Sequence, residues 1–297
     1  MNSMSSSVSV TLKSLPDEEV VAPGRSGCPG CGAVIAARII SKALGKNTIM
    51  VNSTGCMTVN YAYSGAPLFP FIHGLFENAG SILSGVDYGL RALGRREGVN
   101  LVALSGDGGT ADIGFQSLSG AVERGHRFLY VCYDNEGYMN TGIQRSGTTP
   151  YGAVTTTSPT GEKRPMQLRK DMVKIMAAHG IPYAATATIA YPLDLVRKVK
   201  KAVAIDGPTY IHVLSPCWAG WGFPEDLSVK ISKLAVLTGM WILYEVENGI
   251  VRPTMKITQR KPVEEYFKAQ NRFSQLTKPD IDTIQQFVDS KCKEFGM

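Results

Sequence analysis

Apolar residues recur along this chain in two periods, and the switching between them outlines an α/β protein. From Gly32 to Leu44, residues Val34, Ile35, Ile39, Ile40 and Leu44 mark one helical face, and Gly45 is a plausible stop. Thr48-Ile49-Met50-Val51 reads as a short buried strand ending in the polar loop Asn52-Ser53-Thr54-Gly55-Cys56. Pro, Tyr and Gly predict a loop over 61–71. Residues 77–93 predict a long helix whose Ala79, Gly80, Ser84 and Gly85 suit close packing. The clearest unit follows: a strand over 101–104, a helix over 113–124 and a strand over 128–133. Short apolar runs separated by one helix make a parallel βαβ crossover.

Beyond a Thr/Gly/Pro-rich loop at 146–165 the alternation resumes. A helix is expected over 171–179, a strand over Tyr183–Thr188, a helix over 193–205 and a strand over 210–214. The fold class is therefore α/β, a mostly parallel sheet with helices on both faces. After Cys217 the pattern changes to a helix near 227–238 and a hairpin around Glu247-Asn248-Gly249. Residues 263–295 are polar and helical, more arm than core. Three parts result: a flexible N-terminal arm over 1–25, a main domain over 26–225, and a C-terminal extension over 226–297 that packs on partner subunits.

Composition narrows the class without deciding it. Of 297 residues, 44% are hydrophobic and 19% charged, a globular balance, and the net charge of +6 is scattered. The densest basic run, Arg197-Lys198-Val199-Lys200-Lys201, lies on the expected helix and reads as a solvated face, so no nucleic-acid partner is expected. No apolar run is long enough for a bilayer, and the Ser-rich start lacks the form of a signal peptide. A cytoplasmic location is expected, where six cysteines argue for metal or redox chemistry rather than disulfides.

Two strand ends carry the unusual residues. One ends in Gly106-Asp107-Gly108-Gly109 and the other in Asp134-Asn135-Glu136-Gly137, one crossover apart, so Asp107 and Asn135 can sit side by side at one edge. Glycines around a carboxylate allow a phosphate to approach closely, and the helix opening near Ala111 aims N–H groups there. A carboxylate, an amide oxygen and a backbone carbonyl make three hard ligands for Mg²⁺ bridging a diphosphate. By itself the glycine run is a common tight turn; its pairing with Asn135 makes the binding reading the better one.

Four cysteines lie in loops that can converge at the same edge: Cys28-Pro29-Gly30-Cys31, Cys56 and Cys217. Four sulfurs suit Zn²⁺ and a [4Fe–4S] cluster alike. Cys132, in an apolar strand, and Cys292, near the C-terminus, are read as structural. His73, His126, His179 and His212 show no metal-ligand spacing, and a structural role is the better reading for His73.

The run Gly106-Asp107-Gly108-Gly109-Thr110-Ala111-Asp112-Ile113-Gly114, followed by Tyr133-Asp134-Asn135-Glu136-Gly137-Tyr138-Met139-Asn140-Thr141-Gly142, resembles the β subunit of 2-oxoacid:ferredoxin oxidoreductases, the pyruvate enzyme among them. The likeness covers roughly residues 25–250, with His179-Gly180-Ile181-Pro182-Tyr183 and Ser215-Pro216-Cys217. It implies a thiamine-diphosphate-binding fold, with Mg²⁺ on Asp107, Asn135 and the Gly137 carbonyl. It further implies cofactor contacts at Gly55, Cys56, Gly106, Gly108, Gly109, Tyr138 and Thr141, and Asn140 beside the reacting carbon. Cys28, Cys31, Cys56 and Cys217 match the family's [4Fe–4S] ligands.

The implied reaction is the coenzyme A-dependent oxidative decarboxylation of a 2-oxoacid, or its reverse, with electrons leaving through the cluster to ferredoxin. The resemblance places the activating glutamate on an α subunit, and relay clusters on γ and ferredoxin-like δ partners or fusions of them. Pyruvate is the first expectation for substrate. The loop Tyr61-Ala62-Tyr63-Ser64-Gly65-Ala66-Pro67 departs from the pattern of many pyruvate-type subunits, which raises a branched-chain or aryl 2-oxoacid as the alternative. The rival classes are a zinc-stapled thiamine-dependent decarboxylase and a zinc-stapled regulator without catalysis.

Overall fold

Residues 11, 16–24, 26–161, 163 and 169–297 are described by the computed structural model. In chain order the elements are α1 (Gly32–Leu44), β1 (Thr48–Ser53), β2 (Phe71–Gly74), α2 (Ala79–Ala92), β3 (Asn100–Gly106), α3 (Phe115–Glu123) and β4 (Phe128–Asp134). Then come α4 (Met172–Ala178), β5 (Tyr183–Thr188), α5 (Pro192–Ala204), β6 (Pro208–Leu214), α6 (Trp218–Trp221), α7 (Ser228–Leu237), β7 (Tyr244–Glu247), β8 (Ile250–Pro253), α8 (Val263–Lys268) and α9 (Lys278–Glu294). The strands form one sheet in the order β2-β1-β3-β4-β6-β5-β7-β8. Its first six strands are parallel, and β7 and β8 add antiparallel at one edge.

The period-two rule explains the layers. Leu101 and Ala103 of β3 face one core, and Val102 and Leu104 face the other. Leu83 of α2, Leu118 of α3 and Met176 of α4 cover the first face; Ile40 of α1 and Leu195 and Val199 of α5 cover the second. Each such side chain contributes roughly 1.5–3 kcal/mol on burial, against about 1 kcal/mol for a capping side chain. Packing therefore fixes these helices, and α1, α2, α3 and α5 form without a side-chain N-cap. The expected hairpin is present, with Asn248 (φ 48°) and Gly249 (φ 79°) both left-handed, as a two-residue turn between twisted strands requires.

Four expectations are corrected. The stretch 61–71 is not all loop: Thr58–Ala62 is a π-helical turn, and Phe71 opens β2, whose four residues are too few to register as an apolar run. The segment 263–295 is part of the core, since Val263, Tyr266, Phe267, Phe273, Ile284, Val288, Cys292 and Phe295 join the first cluster. In α9 the buried positions Ile284, Val288 and Cys292 recur every fourth residue, a stripe so narrow that the helix reads as polar. The basic run on α5 is not wholly solvated, because Lys198 is buried and pairs with Asp194 at 2.6 Å. Finally, residues 16–24 are docked: Val20 and Val21 are buried, and Glu19 bonds to Arg38 and Lys42 of α1. The rest of the expected arm, 1–10, 12–15 and 25, lies outside the described residues.

Among the described residues, no helix is long and apolar enough to cross a membrane. What matters for function is the sheet order. Strands β1, β3, β4 and β6 are successive neighbours and parallel, so the loops after them emerge at one edge, about 4.8 Å from strand to strand.

Candidate active site

Those four loops carry Gly55 and Cys56, Gly106–Gly109, Asn135–Gly137, and Cys217. The first three open on a cavity of about 200 Å³. Its lining includes every expected cofactor residue, namely Gly55, Cys56, Gly106, Asp107, Gly108, Gly109, Asn135, Gly137, Tyr138 and Thr141, together with Asn140. Thr54, Phe76, Tyr133 and Met139 also line it and were not legible in the sequence. The chain turns into α3 through a π-helical turn, Gly108–Asp112. A Cβ on Gly108 would lie 2.4 Å from the Tyr138 ring, so only glycine lets the two motif halves close. The Tyr138 hydroxyl completes that closure by donating to Asp112 Oδ2 at 2.8 Å.

Asp107 is buried, and its two oxygens have different surroundings. Oδ2 accepts from Ser146 Oγ at 2.5 Å and from Thr148 Oγ1 at 3.0 Å. With its amide oxygen turned inward, Asn135 places that oxygen 2.9 Å from Asp107 Oδ1 and 2.8 Å from the Gly137 carbonyl oxygen. Turned the other way, the amide nitrogen donates to both. Burial, and then the charge of Asp134, push the Asp107 carboxyl well above the usual range. Burial works against ionisation of Asp134 as well, but Arg169 and His212 outweigh it and hold that carboxyl below its ordinary value. Arg169 Nη2 donates to Asp134 at 2.5 Å, and His212 Nε2 lies 2.7 Å from the same oxygen. Asp107 thus lacks the cationic partner that its neighbour has, and a positive charge at Oδ1 would favour its ionised form.

Cys28, Cys31, Cys56 and Cys217 line a second cavity of about 240 Å³. Cys31 and Cys217 stand at the N-caps of α1 and α6. The Cys217 sulfur accepts from Gly220 N at 3.4 Å. A Cβ on Gly32 would lie 2.6 Å from the Pro216 carbonyl oxygen, and this close approach brings the first CxxC beside Cys217. Burial, reinforced by the neighbouring thiols, pushes Cys56 up to about 12; burial likewise pushes Cys217 up to about 11. All six cysteines are free, and Cys132 and Cys292 are buried away from this cavity. Among the described residues, no three His, Cys, Asp or Glu side chains are drawn together closely enough to hold a single metal ion.

The two cavities share a wall, because Cys56, Asn135, Met139 and Asn140 line both. His73 braces it from behind, its Nε2 lying 3.2 Å from the hydroxyls of Thr54 and Thr58 on either side of Cys56. Residues 61–67 line neither cavity.

A glycine-cradled carboxylate and an amide on adjacent parallel strands define a thiamine-type site. The family model for the thiamine pyrophosphate enzyme C-terminal TPP-binding domain matches residues 30–213, more than half of the chain. The chain is 57% identical to pyruvate synthase subunit PorB of Methanothermobacter marburgensis, over 94% of this chain and 98% of that one. It is 54% identical to the PorB of Methanocaldococcus jannaschii (95% and 98%), and 46% identical to ketoisovalerate oxidoreductase subunit VorB of Pyrococcus furiosus (92% and 91%). The chain belongs to this family, the β subunits of 2-oxoacid:ferredoxin oxidoreductases. A solved 2-oxoglutarate:ferredoxin oxidoreductase from Magnetococcus marinus shares the fold, with a TM-score of 0.58 and 21% identity over 69% of each chain.

Proposed function

We propose that this chain is the thiamine-diphosphate-binding subunit of a pyruvate:ferredoxin oxidoreductase, with Mg²⁺ at Asp107, Asn135 and Gly137 and a [4Fe–4S] cluster on Cys28, Cys31, Cys56 and Cys217. The observation that carries this reading is the shared wall of the two cavities. Adjacency of the two sites is what a one-electron oxidation beside the cofactor requires.

The donor sets fit both groups. Cis ligands of an octahedral Mg²⁺ lie about 2.9 Å apart at ordinary bond lengths. The oxygens of Asp107, Asn135 and Gly137 meet at 2.8 and 2.9 Å when the Asn135 oxygen faces inward. Four thiols around one cavity suit a cubane, and the Gly220 N–H that donates to Cys217 favours its thiolate form against the burial that raises it. When bound, thiamine diphosphate supplies the electron sink for decarboxylation and the cluster a one-electron exit. The chain's own residues do the rest. Asp107 and Asn135 would hold the Mg²⁺, Gly108 and Tyr138 would shape the diphosphate cradle, and Asn140, at the border of both cavities, would orient the substrate by hydrogen bonding.

Pyruvate is supported by the pyruvate synthase relatives at 54–57% identity, against 46% for a ketoisovalerate relative. A branched-chain substrate is the second reading, and rates with pyruvate and 2-oxoisovalerate in the purified complex decide between them. The relatives are named as subunits, and we assign the activating glutamate, the relay clusters and the docking of ferredoxin and coenzyme A to a cytoplasmic complex with α, γ and δ partners. Exposed Ile250, Val251 and Phe287 on the C-terminal extension offer apolar surface for such packing. The test is an anaerobic iron and labile-sulfide assay on the complex. About four irons on this chain, lost in Cys217→Ser, are expected; a colourless chain holding one zinc would refute the oxidoreductase reading.

A further inference from the structure

Glu136 is a buried glutamate in a backbone conformation that side chains avoid. Its φ is 61°, it is 3% exposed, and it stands between Asn135 and Gly137. A non-glycine residue held there is strained and persists only where its surroundings fix it. Here every polar group of the residue is bound. Its N–H donates to Asp134 Oδ1 at 2.8 Å, and its carbonyl accepts from Thr149 Oγ1 at 2.8 Å. Its carboxylate accepts from Arg169 Nη1 at 2.5 Å and from Arg272 Nη2 at 2.6 Å.

Arg272 reaches this turn from the far end of the chain. Its guanidinium lies 3.6 Å from the centre of the Trp221 ring, and Trp221 Nε1 donates to the Asn135 carbonyl at 2.7 Å. One guanidinium therefore touches both the carboxylate inside the turn and the indole that holds the turn from the other side. Trp221 ends α6, whose N-cap is Cys217, so the same contact links the two cavities. Glycine would enter this conformation freely. It would also leave the buried Arg272 guanidinium without its carboxylate and the turn untethered.

We propose that Glu136 and Arg272 are positioning residues: their buried pair holds the left-handed turn that directs the Asn135 side chain and the Gly137 carbonyl toward Asp107. With φ negative at residue 136, the following peptide would rotate and the three oxygens would no longer meet. This inference rests on the reading of that point as the Mg²⁺–diphosphate site.

The test measures the Mg²⁺ concentration for half-maximal thiamine diphosphate binding to the intact complex, read by tryptophan fluorescence below the melting transition. Glu136→Gln and Arg272→Gln are each expected to raise it about 10- to 100-fold, and Arg272→Lys, which keeps the charge without the fork, by less. Where a single variant fails to assemble, Glu136→Gln/Arg272→Met removes both charges together and is expected to show the same rise. Folded variants with the wild-type midpoint would overturn the positioning role while leaving the site reading intact. A wild-type complex without Mg²⁺-dependent binding would instead overturn the site reading itself.

Discussion

Ser146 Oγ donates to Asp107 Oδ2 at 2.5 Å, so one oxygen of the central carboxylate is committed to the 146–149 loop and the other meets the Asn135 amide at 2.9 Å. The bond fixes the rotation of the carboxylate. Ser146→Ala removes a hydrogen bond to a charged group, worth about 1.5–3 kcal/mol. Thiamine diphosphate binding, measured by calorimetry at saturating Mg²⁺, is expected to weaken by roughly tenfold or more on that scale. Unaltered affinity would show that Thr148 alone orients Asp107.

Stability at the opposite end of the sheet is expected to be separable from cofactor binding. Asp87 is fully buried and holds Arg96 at 2.5 Å, Arg91 at 2.8 Å and His126 at 3.0 Å. Asp87→Asn leaves the buried Arg96 guanidinium without its carboxylate, a loss of about 3–5 kcal/mol. Chemical denaturation will measure it, and the Mg²⁺ midpoint for cofactor binding is expected to stay at its wild-type value.

The six cysteines are expected to divide four against two. Cys31→Ser should lose iron as Cys217→Ser does. Cys132→Ser and Cys292→Ser should keep full iron and sulfide content but melt at lower temperature, because each places a hydroxyl in an apolar interior. Iron loss on substituting Cys132 would refute the assignment of ligands.

Asp280 gives the C-terminal helix a pH dependence of known sign. Its bonds to Lys163 and Thr277 hold its carboxyl down to about 2, from an ordinary 3.8. The folded value is the depressed one, so the stabilisation is fully present above the unfolded pKa and is lost as pH falls from about 4 toward 2. Asp280→Asn is expected to lower stability by about 1 kcal/mol at pH 6. Denaturation at pH 6 and at pH 3 should show the gap narrowing at the lower pH; a gap that widens contradicts the assignment.

What was legible in the sequence was whatever packing writes as a period. The helix Gly32–Leu44 and the βαβ unit around Asp107 and Asn135 are found where expected, because their strands are buried on both faces. The cavity residues were legible for another reason: Asp107 and Asn135 stand one crossover apart at neighbouring strand ends, and the family resemblance supplied the rest. The supports behind them were not. Ser146 and Thr148 sit in a loop whose composition reads as a turn, and Arg169 and Arg272 reach Glu136 from across the sequence. Lys198 shows the same limit, since a buried charge is recognisable only with its partner Asp194 in view.

Strand β6 lies between β4 and β5, although it is the last of the parallel strands to be synthesised. Until it inserts, β4 and β5 share no neighbour and Cys217 has no place beside Cys31. A growing chain therefore displays three of the four cavity thiols for most of its time on the ribosome, and the fourth arrives only with the strand that closes the sheet. A metal centre spanning all four must be built after translation has passed that point.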